Sequence, residues 1–332
     1  MNHHPLNRRH LLQMAAAGGT AALWPQAQAQ SVWPSRAITL IAPNAPGGPA
    51  DTLARVVTTS LSQQLGTSVV VDNKPGAAGK IGIQAMLRAP RDGHVVAVTS
   101  VTAMSALPVF DPQVGYRSPE DFEPLVLAVR TPAVWCVHPS LGVKNLAQLV
   151  ALAKSKPGVL NYASFGTNSS SHLAQEDFFR RVDIRLTHVP YKGESEGMTA
   201  LLSNQVQVMM ISGAAKPHVE AGKLTALATT SADTWEVFPK LVTASRSGVL
   251  QLAHYSYEPW LGFSAAAGTP AETVTRLQNA LRDALRTPEA QATLGKLGYR
   301  VVAGSAQDMR NAIEQDMTLY RVLLRSGRVS VS

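Results

Sequence analysis

Short β-branched runs alternate with helical periods along most of this chain. Residues 37–42 read as a buried strand, followed by a Pro/Gly loop and a helix over residues 50–65. Leu53, Val57, Leu61 and Leu65 recur at four-residue spacing on that helix, and Gly66 supplies its stop. Residues 68–71 predict a second strand, 73–78 a loop, 81–89 a helix and 94–98 a third strand. This strand–helix–strand–helix–strand order is the signature of a parallel, helix-covered sheet.

The pattern then restarts. Strands are expected at 134–137, 160–163, 184–189, 206–211 and 224–229, with helices near 146–154, over 173–181 and ending near Asn204. From Trp260 the pattern changes again. Thr269-Pro270 with Glu272 predicts a helix start with Thr as N-cap, and Ser305 with Asp308 predicts another. The expected architecture is α/β, two mostly parallel sheets around a cleft. The chain builds domain 1 from residues 31–132, leaves to build domain 2 from 133–251, and returns with 252–332. No self-similar short repeat occurs, which argues against a solenoid.

Composition narrows the classes. At 332 residues, 45% hydrophobic and 16% charged, the chain is long enough for two domains and too apolar for disorder. A single cysteine, Cys136, excludes an internal disulfide, a zinc-finger cluster and an iron–sulfur site, and its apolar setting reads as a buried strand. No G-x-G-x-x-G or P-loop is present, so no cofactor is expected. Residues 1–30 read as an export signal: Arg8-Arg9, a weakly apolar run from Leu11 to Leu23, then Ala27-Gln-Ala29. The paired arginines favour the twin-arginine route, with Sec as the alternative. The expected product is periplasmic and begins near Gln30 or Ser31. Beyond residue 30 the chain holds 28 basic and 22 acidic residues, a net +6. The basic residues are scattered, which fits attraction of small anions better than a nucleic-acid track.

Three loops follow predicted strands and precede predicted helices, where a parallel sheet gathers its ligand. They are Pro43-Asn-Ala-Pro-Gly-Gly-Pro-Ala-Asp51, the loop from Asn73 to Gly82, and Ser164-Phe-Gly-Thr-Asn-Ser-Ser-Ser-His172. Glycine N–H groups and short hydroxyls suit carboxylate oxygens, which only accept hydrogen bonds. Asp51 either complements its helix dipole or fixes the Gly47-Gly48 loop. His172 and His188 lack partners at metal spacing and read as structural histidines. Gly193-Glu-Ser-Glu-Gly197 matches G-x-S-x-G, so a secreted α/β-hydrolase using Ser195 is the rival reading. Pro190-Tyr-Lys192 separates that serine from its strand, and Glu194 and Glu196 would oppose an oxyanion.

The run from Ile41 to Arg55 resembles the opening of the Bug (Bordetella uptake gene) family, TctC-like extracytoplasmic solute receptors of tripartite tricarboxylate transporters. The resemblance continues through Asn73-Lys-Pro-Gly-Ala-Ala-Gly79, Asp92-Gly93, Asn161-Tyr-Ala-Ser164 and Ser170-Ser-His-Leu173. It extends through His188-Val-Pro-Tyr-Lys-Gly193, Ala221-Gly-Lys-Leu224 and Ala267-Gly-Thr-Pro270. It implies a Venus-flytrap receptor of the type II periplasmic-binding-protein class, without catalysis and monomeric, closing on a small organic acid. It implies a membrane permease pair as partner, or a sensor role. The ligand-binding residues it implies are Asn44, Ala45, Pro46, Gly47, Gly48 and Asp51, with Ser164, Gly166, Thr167, Asn168, Ser169 and Ser212 opposite. Asn44 stands where the family has an aromatic residue, Ala45-Pro46 reverses its usual order, and Gln207 stands where it has Asp. Glu194 and Glu196 replace small or apolar residues, and the expectation is that both point to solvent as a solvated helix start. Were they to point inward, they would disfavour a second carboxylate.

Overall fold

The computed structural model describes residues 33–330, so the expected export signal lies outside the described residues. Eleven strands form two sheets among them. β1 (Ile38–Ala42), β2 (Val69–Asn73), β3 (Val95–Ser100) and β4 (Phe122–Arg130) open the chain. β5 (Val134–Val137), β6 (Asn161–Ser164), β7 (Thr187–Pro190), β8 (Val208–Ile211) and β9 (Thr225–Thr229) follow, and β10 (Trp260–Ala266) and β11 (Arg300–Gly304) close it.

The first sheet has the order β11-β4-β10-β3-β1-β2 and the second β7-β6-β8-β5-β9. β1 to β4 share one direction, because β1 pairs parallel with β2 and β3, and β10 lies antiparallel to both β3 and β4. In the second sheet β5 alone is reversed, antiparallel to β8 and β9. Both sheets are mixed: in the first β10 and β11 run against β1 to β4, and in the second β5 runs against the other four strands. Both faces are covered. Val134 and Cys136 of β5 pack into one core cluster while Trp135 and Val137 pack into another, so the strand is apolar at every position. Cys136 is fully buried, as its surroundings in sequence imply.

The helix Pro49–Leu65 buries Leu53, Val57, Leu61 and Leu65 and ends at Gly66, whose φ of 66° is the left-handed stop. Ser305 and Asp308 form the expected capping box of the helix Ala306–Arg325. Thr269 does not cap. Its hydroxyl turns back to the Ala266 carbonyl at 2.8 Å, and the helix Ala271–Arg286 takes Pro270 as its N-cap. The chain passes from β4 to β5 through residues 131–133 and returns to β10 through 257–259. These two crossings are bonded to one another: Thr131 donates its N–H and hydroxyl to the Pro259 carbonyl, at 2.8 and 2.9 Å. Thr230 ties the same junction, donating its N–H to the Ala133 carbonyl at 2.8 Å and its hydroxyl to the Tyr257 carbonyl at 2.6 Å. No helix among the described residues is long and apolar enough to cross a membrane.

Candidate functional site

A cavity of about 720 Å3 opens where the carboxyl ends of β3, β6 and β8 meet both crossings. Helix starts converge on it because each of these strands ends in a short polar cap. Ser100 Oγ accepts the Ala103 N–H at 3.3 Å and Ser212 Oγ accepts that of Ala214 at 3.2 Å. Ser169 Oγ accepts the His172 N–H at 3.2 Å, opening the helix Ser170–Val182. Ser170 and Ser171 stand on the cavity wall at the first turn of that helix, whose leading N–H groups have no acceptor within the helix. The positive end of a thirteen-residue helix therefore faces the space.

The rest of the wall is largely apolar. Val101, Pro132, Phe165, Met210, Tyr257 and Trp260 contribute to it. Trp260 is held by its indole N–H, which donates to Asp316 Oδ2 at 2.8 Å. Burial pushes the Asp316 carboxyl up to about 6, against the opposing pull of that bond and of Arg130. Lys216, Lys296 and Glu236 stand on the wall at more solvated positions.

The residues expected to bind ligand divide into two groups. Ser212 is on the wall. Asn44, Ala45, Pro46, Gly47, Gly48 and Asp51 do not line it; of their loop only Pro49 reaches the wall, and Ala45, Pro46 and Gly47 are exposed. Asp51 is 3% exposed and organises that loop: it accepts the Gly47 N–H at 2.8 Å, Asn73 Nδ2 at 2.9 Å and Arg55 Nε at 3.0 Å. These donors, Arg55 first, hold its carboxyl down to about 2 despite burial. Gly47 carries φ 79°, open to glycine at little cost, and Gly48 donates to the Ala45 carbonyl at 3.0 Å. The two glycine N–H groups are thus spent inside the loop.

Ser164, Gly166, Thr167, Asn168 and Ser169 likewise sit next to the wall residues Phe165, Ser170 and Ser171. Ser164 is fully buried, with its Oγ 2.6 Å from His188 Nε2 and accepting the Gly166 N–H at 3.2 Å. Asn168 is buried, donates its N–H to His172 Nδ1 at 3.1 Å and its amide to the Ser330 carbonyl at 2.9 Å. His172 and His188 stack with ring centroids 4.0 Å apart, and Tyr162 stacks on His188 at 5.0 Å. Burial lowers both histidines, His172 to about 3 and His188 to about 4, so each is neutral at ordinary pH. They support the loop structurally. No group of three His, Cys, Asp or Glu among the described residues is placed to hold a metal.

One expectation is overturned. Glu194 points inward, not to solvent: it lines the cavity, and its Oε1 accepts the Ser212 hydroxyl at 2.6 Å and N–H at 3.2 Å. The first position of the helix Glu194–Leu202 sets its side chain back across the end of β8, where Ser212 waits. Glu196 is exposed as expected and accepts the Lys192 N–H at 3.2 Å. Ser195 is exposed within the helix, five residues past the end of β7, and no hydrogen bond joins its side chain to a histidine among the described residues. A nucleophile elbow needs its serine at the strand's end, so this geometry does not make one. Sequence reasoning missed Ser100 and Thr102 on the wall; the polar run Thr99-Ser-Val-Thr102 closing an apolar strand was the available signal.

The family model described as TctC, tripartite tricarboxylate transporter family receptor, matches residues 53–326. The chain is 32% identical over 326 residues to the UPF0065 protein in the tcbD-tcbE intergenic region of Pseudomonas sp. (strain P51), covering 98% of this chain and 96% of the relative. Among solved structures it resembles R. palustris Rpa4515 with adipate, at 30% identity and TM-score 0.79, over 90% of this chain and 99% of that one. It also resembles MatC from Rhodopseudomonas palustris with bound malate, at 26% identity and TM-score 0.76, over 88% of this chain and 100% of that one.

Proposed function

The chain belongs to the tripartite tricarboxylate transporter family of receptors, and from that premise we propose that it works in the periplasm, closing on a small carboxylated solute for uptake or sensing. It is a binding protein and not a catalyst. The observation that carries the reading is the cavity itself, set at strand carboxyl ends with the first turn of the helix Ser170–Val182 on its wall. A carboxylate docked there gains about 0.3–1 kcal/mol from the helix terminus, up to ~2 when partly buried. It also meets the hydroxyls of Ser100, Thr102, Ser170 and Ser171, while the apolar wall covers a hydrocarbon body.

In this reading residues 31–132 with 252–332 form one domain and 133–251 the other, and the solute draws them together about the bonded crossings. The loop Asn44–Gly48, Asp51 and the segment from Ser164 to Ser169 are the second rank of the site. Gly47 reaches a ligand only by releasing Asp51. Membrane subunits of a tripartite transporter are the partners for uptake, and a second periplasmic protein is the partner for sensing. The export signal is removed near Ala29.

The test is calorimetric and thermal titration of residues 31–332 against mono-, di- and tricarboxylates, amino acids and amides, before and after unfolding and refolding to strip any co-purified ligand. A ligand present at 100 times its dissociation constant adds about 2.7 kcal/mol and raises the melting midpoint by several degrees. A response confined to a few carboxylated solutes supports the receptor. Silence from every carboxylate after refolding refutes it.

A further inference from the structure

Glu194 is out of keeping with a site built only for anions. Among the ionisable groups of the wall, Glu236 keeps 81% of its side chain exposed and Lys216 45%, and Lys296 is exposed as well. Glu194 is half-buried, and no cation among the described residues pairs with it. Its hydrogen bonds are one-sided. Both donors from Ser212 go to Oε1, at 2.6 and 3.2 Å, and Oε2 has no donor among the described residues. A carboxylate offers about four lone-pair sites across its two oxygens, so Oε2 is left open to what the cavity holds. Cys136 and Tyr299 are the titratable neighbours that feel its charge, and neither donates to it.

Resting on the receptor reading above, we propose that Glu194 sets the class of solute. Its free Oε2 receives a hydrogen-bond donor carried by the ligand, an ammonium or primary amide, in addition to the ligand's carboxylate, and it excludes a second carboxylate from that end. The chemistry is complementary: an ammonium supplies both the missing donors and the missing countercharge, and a primary amide supplies the donors. A second carboxylate supplies neither, and two carboxylates share a site only by sharing a proton. The two Ser212 donors and the helix start beneath Glu194 both favour its ionised form. Burial works the other way and raises its pKa, so bringing a cationic partner is the ligand's contribution to the site.

The experiment uses matched probes of equal chain length, from three to six carbons: the dicarboxylate, its ω-amino monocarboxylate and its monoamide. Each is titrated calorimetrically against the wild-type protein and Glu194→Gln at pH 8, 7 and 5.5. We expect an amino or amide member to bind the wild type at least tenfold more tightly than its dicarboxylate twin, with E194Q collapsing or reversing that ratio. The wild-type ratio needs no variant, so it stands as evidence even where E194Q folds poorly. A dicarboxylate that binds the wild type as well as its twins, with a ratio unmoved in E194Q, overturns the proposal and leaves the receptor standing. Dicarboxylate affinity that climbs as pH falls in the wild type but not in E194Q supports the proposal, because protonating Glu194 removes the repulsion that excludes the second carboxylate. Silence from every probe removes the receptor reading and the proposal with it.

Discussion

Acidification should weaken this fold through His172, and the size of the effect follows from its surroundings. His172 Nδ1 accepts the Asn168 N–H at 3.1 Å, and its ring lies on that of His188 with centroids 4.0 Å apart. Protonating Nδ1 sets a donor against a donor beside a second imidazole. Burial, and then His188, therefore hold His172 down to about 3, against 6.5 in an unfolded chain. Between those values the unfolded state binds the extra proton, so stability rises with pH across the window and is flat above it. At about 1.4 kcal/mol per tenfold displacement of a proton equilibrium, His172 alone costs roughly 3 kcal/mol by pH 4. The carboxyls of Asp316, Glu176 and Glu194 are raised and pull the other way over part of the same range, so the parent's own curve does not isolate the effect. The comparison is with His172→Asn, whose amide oxygen replaces Nδ1 as acceptor and carries no titration. Urea unfolding of both proteins at pH 7.5, 6, 5 and 4 yields a stability difference at each pH. That difference should move by about 3 kcal/mol in favour of H172N as pH falls to 4. A difference constant within about 0.5 kcal/mol over the series would refute the account, since the folded ring would then be taking up its proton freely.

Two further outcomes follow from the site's supports. Asp51→Ala removes the acceptor for Gly47, Asn73 and Arg55, so amide exchange at Gly47 should accelerate and solute binding weaken. Because the Asp51 carboxyl is held near 2, below its ordinary 3.8, the stability it contributes should be present above pH 4 and fade as pH falls to 2. Asp316→Asn keeps an oxygen for the Trp260 indole but nothing to ionise. With Asp316 raised from 3.8 to about 6, the parent loses stability as pH climbs through that interval. The variant should gain up to about 3 kcal/mol over the parent at pH 8 and nothing at pH 4, read from melting midpoints.

Most of the architecture was legible because its strands are apolar on both faces and its helices keep a clean period. β5 falls on residues 134–137 as expected, and the helix Pro49–Leu65 begins one residue early. β4 was not read as a strand: Pro124 lies inside it, and an internal proline ordinarily demotes a run to an edge. Here β11 pairs with β4 only from Leu127 to Arg130, so Pro124 faces β10 alone, beside a register shift between Phe263 and Ser264, and keeps an edge position within the strand. β11 has three of its five residues only partly buried, so its alternation carries little signal. The helix Pro288–Lys296 follows Ala271–Arg286 after a single residue, and the two periods run together in sequence. At the site, Ser212 was legible as the residue closing a strand. Whether Glu194 faced in or out was not, because the first residue of a helix has no preceding turn to set its direction. Only the arrival of Ser212 from β8, a contact distant in sequence, decides it.

The place of β10 constrains how the chain can be made. It lies between β3 and β4, yet the whole of the second sheet is encoded between β4 and β10. As the polypeptide emerges N-terminus first, β3 must wait with one edge open until residue 260 arrives, and β4 waits for residue 260 on one edge and residue 300 on the other. The second sheet pairs its strands within one continuous segment, 134–229, and its cores are completed by Trp235, Phe238, Leu252 and Tyr255, all ahead of β10. Folding order is therefore the reverse of chain order: the half begun first is finished last. Truncation anywhere between residues 230 and 259 leaves a completed sheet joined to one with raw edges, the kind of species that pairs with its own copies.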